Sequence, residues 1–492
     1  MPLLTSVRPY FMANKRLLDP IERIEAITND ILVVAGLPPI TTVTLTGTRP
    51  LLDSPLPLAD IACAFQLAVA HATAVVSEGK TCEKYAIDPA QALAGLEPTH
   101  FQRIHQHRFP QSSHGKELKS GFYLTADGRW YLPSGSYPHL RDGTLAMLDC
   151  ANTAAAIGTA IHALPADVLE DTAHAKGVPG AWARTPEQWL VSEAGSAVAA
   201  TPLLTRYAMR SCTSSTSDIH ELKVLDMSHV IAGPAIARHF ALCGSDVLRV
   251  SSPSQPDPLP QIMDTGIGKR NAFADFHTPD DLAVVQALAS EADIIVDSWR
   301  PGALAQFGLQ PDQMMSRGER DFIYVSVSAY GPQGPWATRK AFDQVVQAAT
   351  GLSALHADAN GKPRLSPTRL LTDYLTGQLG IVGALGALYQ RQRIGGSWLI
   401  HVSLARVATY LLQWADASHR GRQSFDDLAP HMMTYQGPFG MTHHVAPAVP
   451  CSRFNHGTIN GPHLLGSSPA TWRTGAPSHD TQTTRSVLSR GN

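Results

Sequence analysis

The sequence has few cysteines, little net charge and no long apolar runs, and each shortage removes a class of function. Its six cysteines, Cys63, Cys82, Cys150, Cys212, Cys243 and Cys451, lie far apart and include no CxxC pair. That spacing speaks against a disulfide framework and against a zinc site, and it fits a reducing, cytoplasmic setting. Charged residues are 16% of the chain and the formal net charge is −2, so no global field draws nucleic acid or an anionic membrane. Any anion must be held by a local pocket. No apolar stretch reaches the roughly 18 residues of a membrane span, and the N-terminus has no apolar core followed by a small-residue cleavage site. Neither a transmembrane helix nor an export signal is expected.

Two nucleotide motifs are also missing. The Gly79-Lys80-Thr81 triplet is no phosphate loop, because Ala74 stands where that loop needs its first glycine. The AGPAIARH segment after the strand at 223 lacks GxGxxG, and Arg249-Val250-Ser251-Ser252 stands where a dinucleotide fold carries its acidic residue. A dehydrogenase is therefore disfavoured. His100, His105 and His107 cluster without neighbouring carboxylates or cysteines, so no metal site is expected.

What the chain does have is ample length: 492 residues, 44% of them hydrophobic, suffice for two or three packed domains at about 100–200 residues each. Residues 15–36 read as an amphipathic helix ended by Gly36, Pro38 and Pro39, residues 41–47 as a short strand, and residues 54–79 as an alanine-rich helix. GFYLTADGRWYL reads as a hairpin turning at Asp127-Gly128 and opens a small α/β module ending near 200. The polar run RSCTSSTSD reads as a linker. Strands are then expected at 223–227, 246–250, 271–276, 293–297, 322–328 and 398–402 with helices between most of them, the pattern of a mostly parallel sheet covered on both faces. Ligands of such sheets sit at the carboxyl ends of the strands. The fold class expected is α/β, a Rossmann-like mostly parallel sheet domain plus a smaller α/β domain. The division reads as an N-terminal helical remnant at 1–114, the small domain at 115–205, a linker at 206–220, the sheet domain at 221–425 and an irregular tail at 426–492, disordered in its last twenty residues.

One helix stands out. TDYLTGQLGIVGALGALYQ, from Thr372 to Gln390, carries Gly377, Gly380, Gly383 and Gly386, each costing about 1 kcal/mol against alanine, so something must pack close against it. On residue type alone Asp373, at its start, is a helix cap. The stretch starting at Ser54 resembles the stretch starting at Ser366, with Asp60 opposite Asp373, which reads as a partial duplication whose first copy has lost most of its sheet. Asp60 keeps the capping role, since Ala64 replaces the glycine found at Gly377.

Five blocks spread over 222–409 resemble the family III CoA-transferases, in that family's order: LKVLDMSHVIAGPAIARHFALCGSDVLRV, GKRNAFADFHTPDD, ADIIVDSWRPGALAQFGL, IYVSVSAYGPQGP, and DYLTG ahead of GGSWLIHVSLA. The resemblance implies that Asp373 is a nucleophile that attacks an acyl-CoA thioester and passes through a covalent aspartyl intermediate, after which an acceptor carboxylic acid takes over the CoA. Peptide N–H groups at the helix start and in nearby glycine turns are then expected to stabilise the oxyanions. It further implies a CoA site in which His229 and Ile231 line the nucleotide and pantetheine path, Arg249 and Lys269 meet the phosphates, Trp299 and Phe307 lie beside the adenine, and Lys340 reaches the cofactor.

No prosthetic group is implied. Coenzyme A or acyl-CoA is a substrate, the partners are an acyl-CoA donor and a small carboxylic acid, and an interlocked homodimer is the family's assembly. Ile231 replaces a glutamine, Gln306 replaces a common arginine although Arg300 is close by, and the family's glycine loop over the aspartate is not evident. Two related readings stay open. A racemase needs an acid/base pair, but Phe342 stands where that subgroup has histidine, with Asp343 after it. The other is a non-catalytic CoA-binding homologue.

Overall fold

The computed structural model describes residues 18–79, 84–109, 118, 121–135, 137–210, 218–318, 320–449 and 459–473. The first elements are α1 (Pro20–Ala35), β1 (Val43–Leu45), α2 (Leu58–Glu78) and β2 (Tyr85–Ile87), followed by β3 (Arg103–Ile104) and β4 (His107–Arg108). Asp19 and Glu22 form a reciprocal capping box at the start of α1, with Pro20 at the first position, and Gly36 closes it in the left-handed region. Helix α2 is long and apolar enough to cross a membrane by composition alone, yet 78% of its most apolar window is buried inside the protein. It packs between α1 and the glycine helix described below, and alanine gives that close three-helix contact little bulk.

Next come β5 (Tyr123–Leu124), β6 (Trp130–Pro133), α3 (Pro138–Leu148) and β7 (Gly180–Trp182). The strands β5, β6 and β7 make an antiparallel sheet, and the expected hairpin at Asp127-Gly128 is its first turn, with Gly128 at φ 75°. This module has its own core of Leu118, Tyr131, Leu148, Ile157, Ile161, Leu169 and Trp182. That core stops near 182. Trp189 already belongs to the main core and donates from Nε1 to Thr409 Oγ1 at 2.9 Å.

The main sheet follows: β8 (Thr205–Arg210), β9 (Lys223–Asp226), α4 (Ala232–Leu242), β10 (Asp246–Ser251), β11 (Arg270–Phe273), β12 (Ile294–Asp297), β13 (Ile323–Ser328), α5 (Asp343–Ala349), α6 (Leu371–Ile394) and β14 (Ser397–Ser403). Its order is β11-β10-β9-β12-β13-β14-β8, the first six strands parallel and β8 antiparallel to β14. This is the doubly wound order, whose reversal point lies between β9 and β12. All six expected strands are present within two residues at each end or closer, except that β11 stops three residues early. The expected linker at 206–220 begins instead as the antiparallel edge strand β8, because Ala208 and Tyr207 pair with Trp398 and Leu399. The tail expected to be irregular from 426 contains the hairpin β15 (Met432–Gly437) and β16 (Gly440–Val445), whose partner across the chain is β3. The polar run at 211–217 and residues 474–492, expected as linker and disordered tail, lie outside the described residues, as do Lys80, Thr81, Cys82, Cys212 and Cys451.

The glycines of α6 are explained by its neighbours. A Cβ on Gly377 would stand 3.0 Å from the Ala232 carbonyl oxygen, one on Gly380 2.3 Å from Ile236 of α4, one on Gly383 2.5 Å from Leu204, and one on Gly386 2.3 Å from the Ala35 carbonyl oxygen of α1. The helix is thus sunk into contact with α4, β14 and α1 at once.

Candidate active site

A cavity of about 370 Å³ opens at the carboxyl ends of β9, β10, β12 and β13, on the reversal point of the sheet. The strands deliver Ser228 and His229, Arg249 to Ser252, Ser298 to Arg300, and Ser328 to its floor. The small module contributes Tyr137, and the loop before α5 contributes Lys340 and Phe342. Sequence and topology therefore agree on where the ligand space lies.

The expected site residues divide into two groups. His229, Arg249, Trp299 and Lys340 line this cavity; Ile231, Lys269, Phe307 and Asp373 do not. The His229 ring stacks on Trp299 with centroids 4.9 Å apart, its Nδ1 meets Ser298 Oγ at 2.9 Å, and Trp299 Nε1 donates to the Met227 carbonyl at 2.7 Å. Burial lowers the pKa of His229, so the ring is neutral and serves as a flat wall with one polar edge. Lys340 and Arg300 have no ion-pair partner among the described residues. Burial, and then the like charge of Arg300, pulls the Lys340 pKa down. Two unneutralised cations that repel each other at the mouth of a cavity are arranged for an anion.

Arg249 is 2% exposed and ion-pairs with Asp257, while its Nε and Nη1 find no partner among the described residues. Asp257 is a junction: its Oδ2 also accepts from Val230 N at 3.0 Å and its Oδ1 accepts from the Tyr137 hydroxyl at 2.7 Å. Val230 is held at φ 67°, a conformation rare for a β-branched residue. Ile231 follows as the uncapped start of α4 and is fully buried.

Lys269 departs from expectation. It is fully buried, and its Nζ donates to Asp226 Oδ2 at 2.6 Å and to the Pro234 carbonyl at 2.6 Å. It ties β9 to α4 and does not line the cavity. Phe307 packs edge-on against Phe276 and His277, with centroids 5.5 and 5.3 Å away, outside the cavity wall. Gln306 is exposed and spends its amide on the Ala303 carbonyl, while Arg300, six residues earlier, is the arginine that faces the cavity.

Asp373 is not the cap of its helix. Asp343, the first residue of α5, takes that role: its Oδ2 accepts from Thr372 N at 2.6 Å, Thr372 Oγ1 at 2.7 Å and Asp373 N at 2.9 Å. The Asp373 carboxylate is left with no hydrogen-bond donor among the described residues, and the residue is 6% exposed. Burial first, and then the charge of Asp343, pushes its pKa well above the usual carboxylate range. The same geometry corrects one expectation, since the Thr372 and Asp373 N–H groups are already engaged and do not face an oxyanion.

Asp60 is likewise no cap. It lies inside α2, fully buried, where Arg23 and Arg49 both pair with it, Arg49 at 3.0 Å. Asp60, opposite Asp373 in the sequence comparison of the two stretches, is thus a neutralised carboxylate. His100 pairs with Asp426 at 2.8 Å and packs against Phe101 and Phe425, and no cluster of metal-ligating side chains occurs among the described residues.

Fold and site together define an α/β protein with an anion-ready crevice at the sheet's reversal point and a buried carboxylate beside it. Residues 219–437 match the family model described as CoA-transferase family III. The chain is 36% identical over 197 residues to the acetyl-coenzyme A transferase nodX of Hypoxylon pulicicidum, a match covering 39% of this chain and 32% of that protein. It is 28% identical over 204 residues to the succinyl-CoA–L-malate CoA-transferase beta subunit of Chloroflexus aurantiacus, covering 39% of this chain and 50% of that one. Among solved structures, a crystal form of Rv3272 from Mycobacterium tuberculosis is similar over 39% of this chain and 54% of its own, at 30% identity and a TM-score of 0.36. The chain spans a third to a half of the length of these two curated relatives. The resemblance to the family III CoA-transferases is thus carried by residues 219–437.

Proposed function

We propose that the protein transfers CoA from an acyl-CoA thioester to a small carboxylic acid, with Asp373 as the nucleophile. The observation that carries this reading is the division of labour at the start of α6: Asp343 caps the helix, so Asp373 keeps a free carboxylate at the end of the sheet where ligands bind. One Asp373 oxygen attacks the thioester carbonyl carbon, and collapse of the tetrahedral adduct expels the CoA thiolate and leaves a mixed anhydride. The thiolate attacks the aspartyl carbonyl, releasing the donor's carboxylate and forming an aspartyl-CoA thioester. The acceptor carboxylate repeats the two steps in reverse order and leaves as its CoA ester. No water is consumed, and burial of Asp373 protects each intermediate from hydrolysis.

Arg249, Arg300 and Lys340 are the groups we assign to the phosphates, and the His229–Trp299 stack to a flat or apolar part of the CoA. The relatives named for acetyl-CoA, succinyl-CoA and malate support small acyl groups and acids as the class. Phe342 lines the cavity stacked on Tyr137 and carries no proton, which favours transfer over racemisation.

The test is to incubate the protein with a panel of short acyl-CoAs, trap with hydroxylamine or borohydride, and map the modified peptide by mass spectrometry. The adduct is expected on Asp373 and absent in Asp373→Asn. Because a raised pKa keeps the carboxyl protonated to higher pH, the rate is expected to fall on the acid side at a pH above the ordinary carboxylate range. Tight CoA binding with no adduct across the panel would replace this reading with a non-catalytic one.

A further inference from the structure

We infer that the Tyr137 hydroxyl is the oxyanion donor for the reaction at Asp373, held in reserve on Asp257 until acyl-CoA enters. The inference rests on the reading of Asp373 as nucleophile and adds a residue that lies outside the matched domain, in the small antiparallel module.

Four observations lead to it. Two N–H groups at the helix start that would ordinarily serve as donors, Thr372 N and Asp373 N, both bond to Asp343. Neither is available to a tetrahedral oxyanion at Asp373, which leaves a role for a side-chain donor. Tyr137 lies in the wall of the cavity, its ring stacked on Phe342 at 5.6 Å and 28°, and Phe342 immediately precedes Asp343. The chain of contact thus runs from Tyr137 through the Phe342-Asp343 dipeptide to the backbone of Asp373. The phenol is close enough for the Asp373 charge to be one of the influences that raise its pKa, after burial and Asp257, so it stays a neutral O–H donor. Finally, its present acceptor is shared: Asp257 also neutralises Arg249 and holds Val230 N. A phosphate on Arg249 competes with Asp257 for that guanidinium and disturbs the junction on which the Tyr137 hydrogen bond depends.

The consequence is ordered. In the structure the Tyr137 hydroxyl is held by Asp257 in the cavity wall, and Asp373 does not line that cavity. With CoA bound, the hydroxyl leaves Asp257 and donates to the oxygen of the thioester carbonyl as its π pair moves there. The C–O bond to Asp373 forms, and collapse returns the pair and expels the thiolate. Tyr137 gives a hydrogen bond and keeps its proton.

Tyr137→Phe keeps the ring and its stack on Phe342 and removes only the hydroxyl. Loss of one preorganised oxyanion donor is expected to lower kcat by about 10²–10³ while leaving KM for acyl-CoA within a few-fold. Single-turnover formation of the aspartyl adduct should slow by the same factor, and CoA affinity and the melting transition should not move. A Tyr137→Phe enzyme that forms the adduct at the wild-type rate or faster would overturn the inference and reduce Tyr137 to a latch. An absent adduct in the wild type is a different failure, that of Asp373 as nucleophile. Should Tyr137→Phe lose thermal stability, adduct formation is followed well below its melting transition with the folded fraction checked by circular dichroism; an adduct formed there at the wild-type rate would overturn the inference.

Discussion

A lysine near the end of a sheet strand can hold a ligand's phosphate or hold the sheet itself, and Lys269 and Lys340 divide these jobs. Lys269 has 0% exposure and bonds to Asp226 and Pro234, so its charge is matched within the protein, and burial pulls its pKa down to about 8. Lys340 faces the cavity, where burial and then the like charge of Arg300 lower its pKa. In the sequence both are basic residues that the resemblance assigns to CoA, Lys269 inside a matching block and Lys340 shortly after one, and nothing local tells a buried ion pair from a free cation. Only the partner, Asp226 on β9, decides it, and that pairing spans 43 residues. Lys269→Met is therefore expected to cost about 3–5 kcal/mol of stability by stranding Asp226, read from urea unfolding. Lys340→Ala should leave unfolding within about 0.5 kcal/mol and weaken CoA binding about tenfold or more in calorimetry. The reverse pattern, a stable Lys269→Met that cannot bind CoA, would restore the phosphate role to Lys269.

At the scale of the element, the strands and the glycine helix were readable because their signals are local. Continuous apolar strands such as IIVD and IYVSVS announce a sheet buried on both faces, and β12 and β13 are buried along nearly their whole length. The glycines of α6 announced a close neighbour without naming it. That the neighbour at Gly386 is α1, some 350 residues earlier, comes from packing no single segment encodes. Residue type alone points to a cap at Asp373 and at Asp60, since Asp is favoured at a helix start, but the acceptor actually used at Thr372 and Asp373 is Asp343 on another helix.

Gly386 gives this scale its test. A methyl group there would stand 2.3 Å from a backbone oxygen of Ala35, which cannot rotate away as a side chain would. Overpacking costs about 1–3 kcal/mol, and the gain in helix propensity returns about 1 kcal/mol. Gly386→Ala should therefore be destabilised by up to about 2 kcal/mol in urea, with amide exchange rising first in α1. A variant more stable than wild type would show that the α1–α6 contact yields easily.

For the whole molecule, the boundary of the matched domain and the boundary of the folded unit differ. The match begins at 219 and ends at 437, but the core that includes α6 also includes Ile24, Ile27, Ile31 and Ala35 of α1 and Ile61, Phe65 and Leu67 of α2. The sheet's outer strand β8 precedes the match, and β3 pairs with β16 from opposite ends of the chain. A fragment of residues 219–437 would lose β8 from the edge of β14, bare the α1 and α2 faces of α6, and leave β15–β16 without β3. It would also lose Tyr137. At about 25 cal/mol per Å² of apolar surface, removing two buried helices from one core forfeits more than the 5–15 kcal/mol that a typical domain holds in reserve. The fragment is therefore expected to lack a cooperative thermal transition and to bind the dye ANS, while the full chain melts cooperatively. A fragment that folds cooperatively and binds CoA with full-chain affinity would show instead that residues 18–210 are an appendage, and the small module's share in the active site would go with it.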